Sequence, residues 1–98
     1  MYASAVAWNF KPGSQDLVRQ VSLEVLIPAI KAQPGFRHFL SVRTRSDSWM
    51  MIILFDIKAH QDAALAILNP LIRQHHGQII EGMQRYAGEV EIEEVAMR

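Results

Sequence analysis

Ninety-eight residues suffice for one small domain around a single core, and a chain half hydrophobic and one-fifth charged is globular rather than disordered. Ten basic and ten acidic side chains cancel, which argues against an electrostatic hold on nucleic acid or an anionic membrane. There is no cysteine, so disulfides, thiolate nucleophiles and thiolate metal ligands are all excluded.

At the N-terminus Tyr2, Ser4, Val6, Trp8 and Phe10 alternate with Ala3, Ala5 and Ala7. The pattern predicts a first strand with large side chains on one face and small ones on the other. These residues lack the basic start and continuous apolar block of a targeting segment, and the most apolar stretch, Met50 to Phe55, is too short to span a bilayer. A soluble, cytoplasmic protein without membrane or nucleic-acid partners is expected. Lys11-Pro12-Gly13 ends the strand. Ser14 is placed to cap a helix whose first turn carries Asp16. Leu17, Val18, Val21, Val25 and Ala29 form one apolar stripe of that helix; Leu23, Leu26, Ile27 and Ile30 form another. Either a kink at Pro28 or a contact with a second subunit accounts for the pair. Pro34 restricts the residue before it, so the helix should stop near Gln33.

Phe36 to Arg45 reads as a second strand, Ser46-Asp47-Ser48 as a tight turn, and Trp49 to Ile57 as a third strand, apolar on both faces and therefore central. Helical spacing follows from Asp56 through Ala63 to Leu68. Asn69-Pro70 reads as a fresh helix start, with Ile72, His76, Ile79, Ile80 and Met83 at helical spacing after it. Gly77 and Gly82 each weaken that helix by about 1 kcal/mol relative to alanine. Gly88 terminates it, and Glu89 to Met97 closes the chain as an alternating last strand. This order gives one α+β domain over residues 1–98. It is a ferredoxin-like β-α-β-β-α-β sandwich with one four-stranded antiparallel sheet, the first and third strands central. Its edges carry opposite charge: Arg37, Arg43 and Arg45 share one face of the second strand, Glu89, Glu91 and Glu93 one face of the fourth. These are either two solvated faces or the two sides of a homodimer interface repeated about a two-fold axis.

Three stretches carry a family resemblance: the "KPGS" turn at Lys11 to Ser14, "AQPGF" at Ala32 to Phe36, and the Trp49 to Asp56 strand leading into an alanine-rich helix. With them, nearly the whole chain resembles the antibiotic biosynthesis monooxygenase-like domains of the dimeric α+β barrel group. The resemblance implies pairing into a dimeric barrel. It also implies cofactor-independent oxygenation of an aromatic or quinol-type molecule, with no cofactor. Members of that group also include haem-degrading proteins and domains without assigned activity. Where members often end the third strand on tryptophan, this chain has Phe55; where the haem-degrading branch has a tryptophan, it has Leu65. Asn9 is displaced towards the end of the first strand, and His75 or His76 would stand for that branch's histidine.

His76 interrupts an apolar helical stripe and is the candidate for proton transfer, its alternative being a buried histidine bonded to a backbone carbonyl. His75 and His76 are adjacent and cannot present two ligands on one helical face, so no metal site is expected. Trp8, Trp49, Met51 and Phe55 form either an aromatic, polarizable wall for a flat ligand or ordinary core. Asn9 and Arg43 either orient a ligand carbonyl or phenolate or are surface positions; His38, on a strand face with Phe36 and Leu40, either borders a pocket or fills space at the barrel seam; His60 is placed to cap the helix after the third strand. A non-catalytic dimeric small-ligand-binding or regulatory domain of the same fold is the other reading of these residues.

Overall fold

The computed structural model describes residues 1–96. Strands β1 (Tyr2–Phe10), β2 (Phe36–Arg45), β3 (Ser48–Phe55) and β4 (Ile80–Glu89) form one antiparallel sheet in the order β2-β3-β1-β4. The first and third strands are central, as their two-faced apolarity requires. Helices pack on one face. The first helical segment is α1 (Gln15–Val21), a π-helical turn (Ser22–Leu26) and α2 (Ile27–Lys31); the second is α3 (Lys58–His76).

The alternation in β1 translates directly into layers. Ser4, Val6, Trp8 and Phe10 are buried beneath the helices, and the alanines point to the other face. In β3 the buried residues are Trp49, Met51, Ile53 and Phe55, with Phe55 fully enclosed. Enclosing one such side chain contributes roughly 1.5–3 kcal/mol, so this row and its partners in β1 supply much of the core. From the helices, Val18, Leu26, Ile30, Ala64 and Leu68 close over it.

The two stripes of the first helix resolve into one. Pro28 has no N–H to donate and its ring collides with a carbonyl one turn back. The chain widens into the π turn just before it, where Ile27 N–H donates to Ser22 O, five residues back. That extra residue shifts the phase, so Val18, Val21, Ser22, Leu26 and Ile30 all face the sheet while Leu17 and Leu23 stay exposed. Ser14 occupies the N-cap position but its side chain makes no capping bond. Asp47, from the β2–β3 turn, accepts the N–H groups of Gly13 at 3.2 Å and Ser14 at 3.0 Å instead. The first helix is therefore capped from across the fold.

Four expectations are corrected. Asn69-Pro70 starts no new helix: both residues lie inside α3, because Leu68 and Ile72 keep packing on the sheet while the Pro70 ring faces solvent. The second helix does not run on to Met83 but stops at His76, with Gly77 after it and Ile79 N–H returning to His76 O at 2.9 Å. The last strand is accordingly Ile80–Glu89 rather than Glu89 to Met97, so Gly82 and Gly88 are strand residues and Glu91 and Glu93 lie beyond it. Met97 is outside the described residues. Finally, the basic residues of β2 do not share a face. A bulge at Arg37 separates Phe36 from His38, and a register shift sets Arg43 opposite Trp49 but Arg45 opposite Ser48, on alternate faces of β3.

Candidate functional site

A small, almost wholly apolar cavity of about 30 Å³ lies between the sheet and the helices. Its floor is the buried side of the sheet, with Val6 and Trp8 of β1, Met51 and Ile53 of β3, and Phe39 of β2. Its roof is Leu26 and Ile30 from the first helix and Leu65, Leu68 and Ile72 from α3. The π turn is what aims Leu26 and Ile30 at the same space. Among the described residues the single charged contributor is Arg85.

Arg85 was not among the residues singled out from the sequence. It pairs in register with Val6 across β1 and β4, so it belongs to the row of the sheet that faces the helices. Its Nε is buried and has no hydrogen-bond partner among the described residues. An unpartnered guanidinium nitrogen beside an apolar space is costly unless something accepts its hydrogen. The signal that would have found it is a period-two reading of "IIEGMQRYAGEV", which places an arginine where the row otherwise meets Val6 and Trp8.

The expected site residues divide by position. Trp8 and Met51 line the cavity; Trp49 and Phe55 are core around it. Phe10 and Trp49 meet edge to face at 5.7 Å, and Phe36 does the same with Phe55 at 6.1 Å. Asn9 sits exposed at the end of β1, where its Oδ1 accepts a hydrogen bond from Ser48 Oγ at 2.7 Å. Arg43 is exposed and donates to Gln15 Oε1 at 2.6 Å. His38 opposes Leu54 on the sheet face that carries no helix. Thus Asn9, His38 and Arg43 are not brought to the cavity.

His76 is buried, 2 % exposed, with its ring 5.5 Å from that of Phe10 and outside the cavity lining. Neither ring nitrogen has a hydrogen-bond partner among the described residues. Burial holds its pKa below the ordinary 6.5; the charge of His75 adds to this, and the backbone of His75 opposes it. His60 has a partner: its Nδ1 lies 2.6 Å from Asp56 Oδ1 at the start of α3. That hydrogen bond is the main reason the Asp56 carboxyl titrates below its usual range. Among the described residues no group of three or more His, Cys, Asp or Glu is arranged to hold a metal ion, and no helix is long and apolar enough to cross a membrane.

No family model and no curated protein matches the chain. Solved structures do. SnoaB, a cofactor-independent oxygenase from Streptomyces nogalater, superimposes with a TM-score of 0.79 at 14% identity, over 94% of each chain. A candidate antibiotic biosynthesis monooxygenase from Deinococcus radiodurans matches over 100% of both chains, with a TM-score of 0.77 at 13% identity. An arginine-to-serine mutant of MhuD, solved with two manganese protoporphyrin IX molecules per active site, matches over 98% of this chain and 100% of its own, with a TM-score of 0.72 at 15% identity. At these identities the likeness is one of fold, and at that level the resemblance to antibiotic biosynthesis monooxygenase-like domains holds.

Proposed function

We propose that the chain binds a small electron-rich aromatic or quinol-type molecule between sheet and helices and oxidises it with dioxygen, without a cofactor. The observation that carries this reading is the apolar cavity with a lone guanidinium in its wall. Apolar walls exclude water, and in the low dielectric they create, the field of Arg85 acts strongly on a nearby anion. A phenol or enol bound there loses its proton more readily because its conjugate base accepts the hydrogen of Arg85 Nε. His76 is not given the proton in this scheme, since its ring packs on Phe10 away from the cavity; the proton passes to solvent.

The electron-rich anion is itself the reductant. With anthrone, the methylene carbon gives four electrons to one dioxygen, one oxygen atom stays as the new carbonyl, and the other leaves as water with both methylene hydrogens. The protein contributes orientation, desolvation and stabilisation of the anion. The shared fold of SnoaB, a cofactor-independent oxygenase, supports the assignment. Porphyrin binding is not favoured: Leu65, part of the cavity roof, stands where the haem-degrading branch has a tryptophan.

Oxygen uptake with anthrone and with 1,4-dihydroxynaphthalene tests the proposal. Uptake should exceed the buffer rate and fall about tenfold or more in Arg85→Met, the loss expected when a buried charged donor is removed from a developing anion. His76→Ala should retain most of it. Uptake at the buffer rate with both substrates overturns the oxygenase and leaves a ligand-binding domain. We further propose that the molecule is a homodimer, joined through the sheet face that bears no helices.

A further inference from the structure

A second space adjoins the cavity. Between α3 and β4 lies an open groove of about 310 Å³. Trp8, Ile72 and Arg85 line both spaces, so the wall between them is these three side chains. Small-molecule sites run from roughly 300 Å³ upward, which the groove reaches and the inner cavity, near 30 Å³, does not. A bicyclic ligand must therefore use both. Of the three wall residues only Arg85 is charged, and it lies on the edge strand, so one guanidinium borders both spaces.

The groove is also selective in charge. Asn69 and Arg73, one helical turn apart on α3, face Arg85 and Met83 of β4 across it. Among the described residues no aspartate or glutamate lines either space, and neither Arg73 nor Arg85 has an ion-pair partner. Two unpaired guanidiniums and a carboxamide over an aromatic floor form a receptor for a carboxylate carried on an aromatic body.

We propose that this groove is the mouth of the cavity and that it selects aromatic carboxylates. The ring system passes over Trp8 and Ile72 into the apolar interior; the carboxylate stays outside, held by Arg73 and Arg85, with the Asn69 amide donating to it. Arg73 thereby sets specificity without touching the oxidised carbon. The inference rests on the cavity being the ligand site.

Calorimetric titration of the whole protein with 2-naphthoate and with its methyl ester separates the two ideas. The acid should bind about tenfold tighter than the ester at low salt, and the preference should shrink as salt is added. Arg73→Gln, a change at an exposed position, should bring acid and ester within about threefold, as loss of one charge-assisted contact requires. Equal binding of acid and ester by the unaltered protein, or a preference that survives Arg73→Gln, overturns the carboxylate proposal and leaves the cavity reading intact. Failure of both compounds to bind overturns the two together.

Discussion

His76 is the residue whose protonation the fold resists most plainly. Both ring nitrogens are buried without partners among the described residues, and the ring lies against Phe10. Enclosing an unpartnered polar group costs on the order of 1–3 kcal/mol, and enclosing it charged costs more. Its folded pKa is accordingly below the ordinary 6.5. The unfolded chain binds the proton first, so above about pH 6.5 the full stability is present, and it is lost as pH falls towards and through the folded value. Thermal melts across pH 8 to 4 should show the midpoint of the unaltered protein dropping from about 6.5 downwards. His76→Leu should be at least as stable at pH 7, by about 1 kcal/mol, and show a flatter curve in that window. Parallel curves for the two proteins would mean that His76 is bonded after all. Asp56 does not confuse the reading, because its pKa is lowered and its contribution is lost only below the usual carboxylate range.

At the scale of elements, the corner where α2, β2, β3 and α3 meet turns on Gly35. Its φ of +79° is one that L side chains rarely adopt, and an added Cβ would collide with Asp56 Oδ1 and His60 Nδ1. Asp56 N–H also donates to Gly35 O at 2.9 Å, so strand start, strand end and helix start are fastened at one point. Gly13 offers an internal control, with φ +84° but open space around a would-be Cβ. Gly13→Ala should cost only the backbone penalty, about 1–2 kcal/mol, whereas Gly35→Ala should cost on the order of 3 kcal/mol or more because strain and collision act together. Equal losses in denaturant unfolding would refute the collision. Three of the four strands were legible because alternation in β1 and two-faced apolarity in β3 are strong signals, and Pro34-Gly35 punctuates them. β4 was not, since Ile79, Ile80 and Met83 fit helical spacing as well as they fit an edge strand, and two glycines blur its alternation. The same error hid Arg85: with Met83 assigned to a helix, no register existed to bring residue 85 against Val6. Trp8 and Met51 could be read as candidate wall residues because they sit on strands whose faces were clear. His38 was misplaced because the bulge at Arg37, invisible in the pattern, moves it off the face of Phe36.

For the whole molecule, the decisive feature is the sheet face opposite the helices. Val42 pairs with Met50, Leu40 with Ile52 and His38 with Leu54, and Leu40 and Val42 remain 46 and 49 % exposed. β1 contributes Ala3, Ala5 and Ala7 to this face, with Asn9 at its end, and β4 adds Tyr86. The result is a ridge of large side chains on β3 beside a trough of small ones on β1. A contiguous apolar surface of this kind marks an interaction site, and sheets pack face to face about 10 Å apart when such relief interlocks. A second copy rotated about a two-fold axis presents the same ridge and trough in reverse, so the shape is self-complementary. Interdigitation of this face explains a dimer better than pairing of the charged edges, since Glu91 and Glu93 lie past β4 and Arg43 is bonded to Gln15. Light scattering should give twice the chain mass of 11.2 kDa. Met50→Glu with Ile52→Glu should yield a monomer with an unchanged far-ultraviolet spectrum, because burying two carboxylates in the contact is prohibitive while leaving them on an open face is not. Arg43→Glu with Arg45→Glu should leave the dimer intact. The opposite pattern, a monomer from the arginine reversals and a dimer from the ridge substitutions, would return the contact to the strand edges.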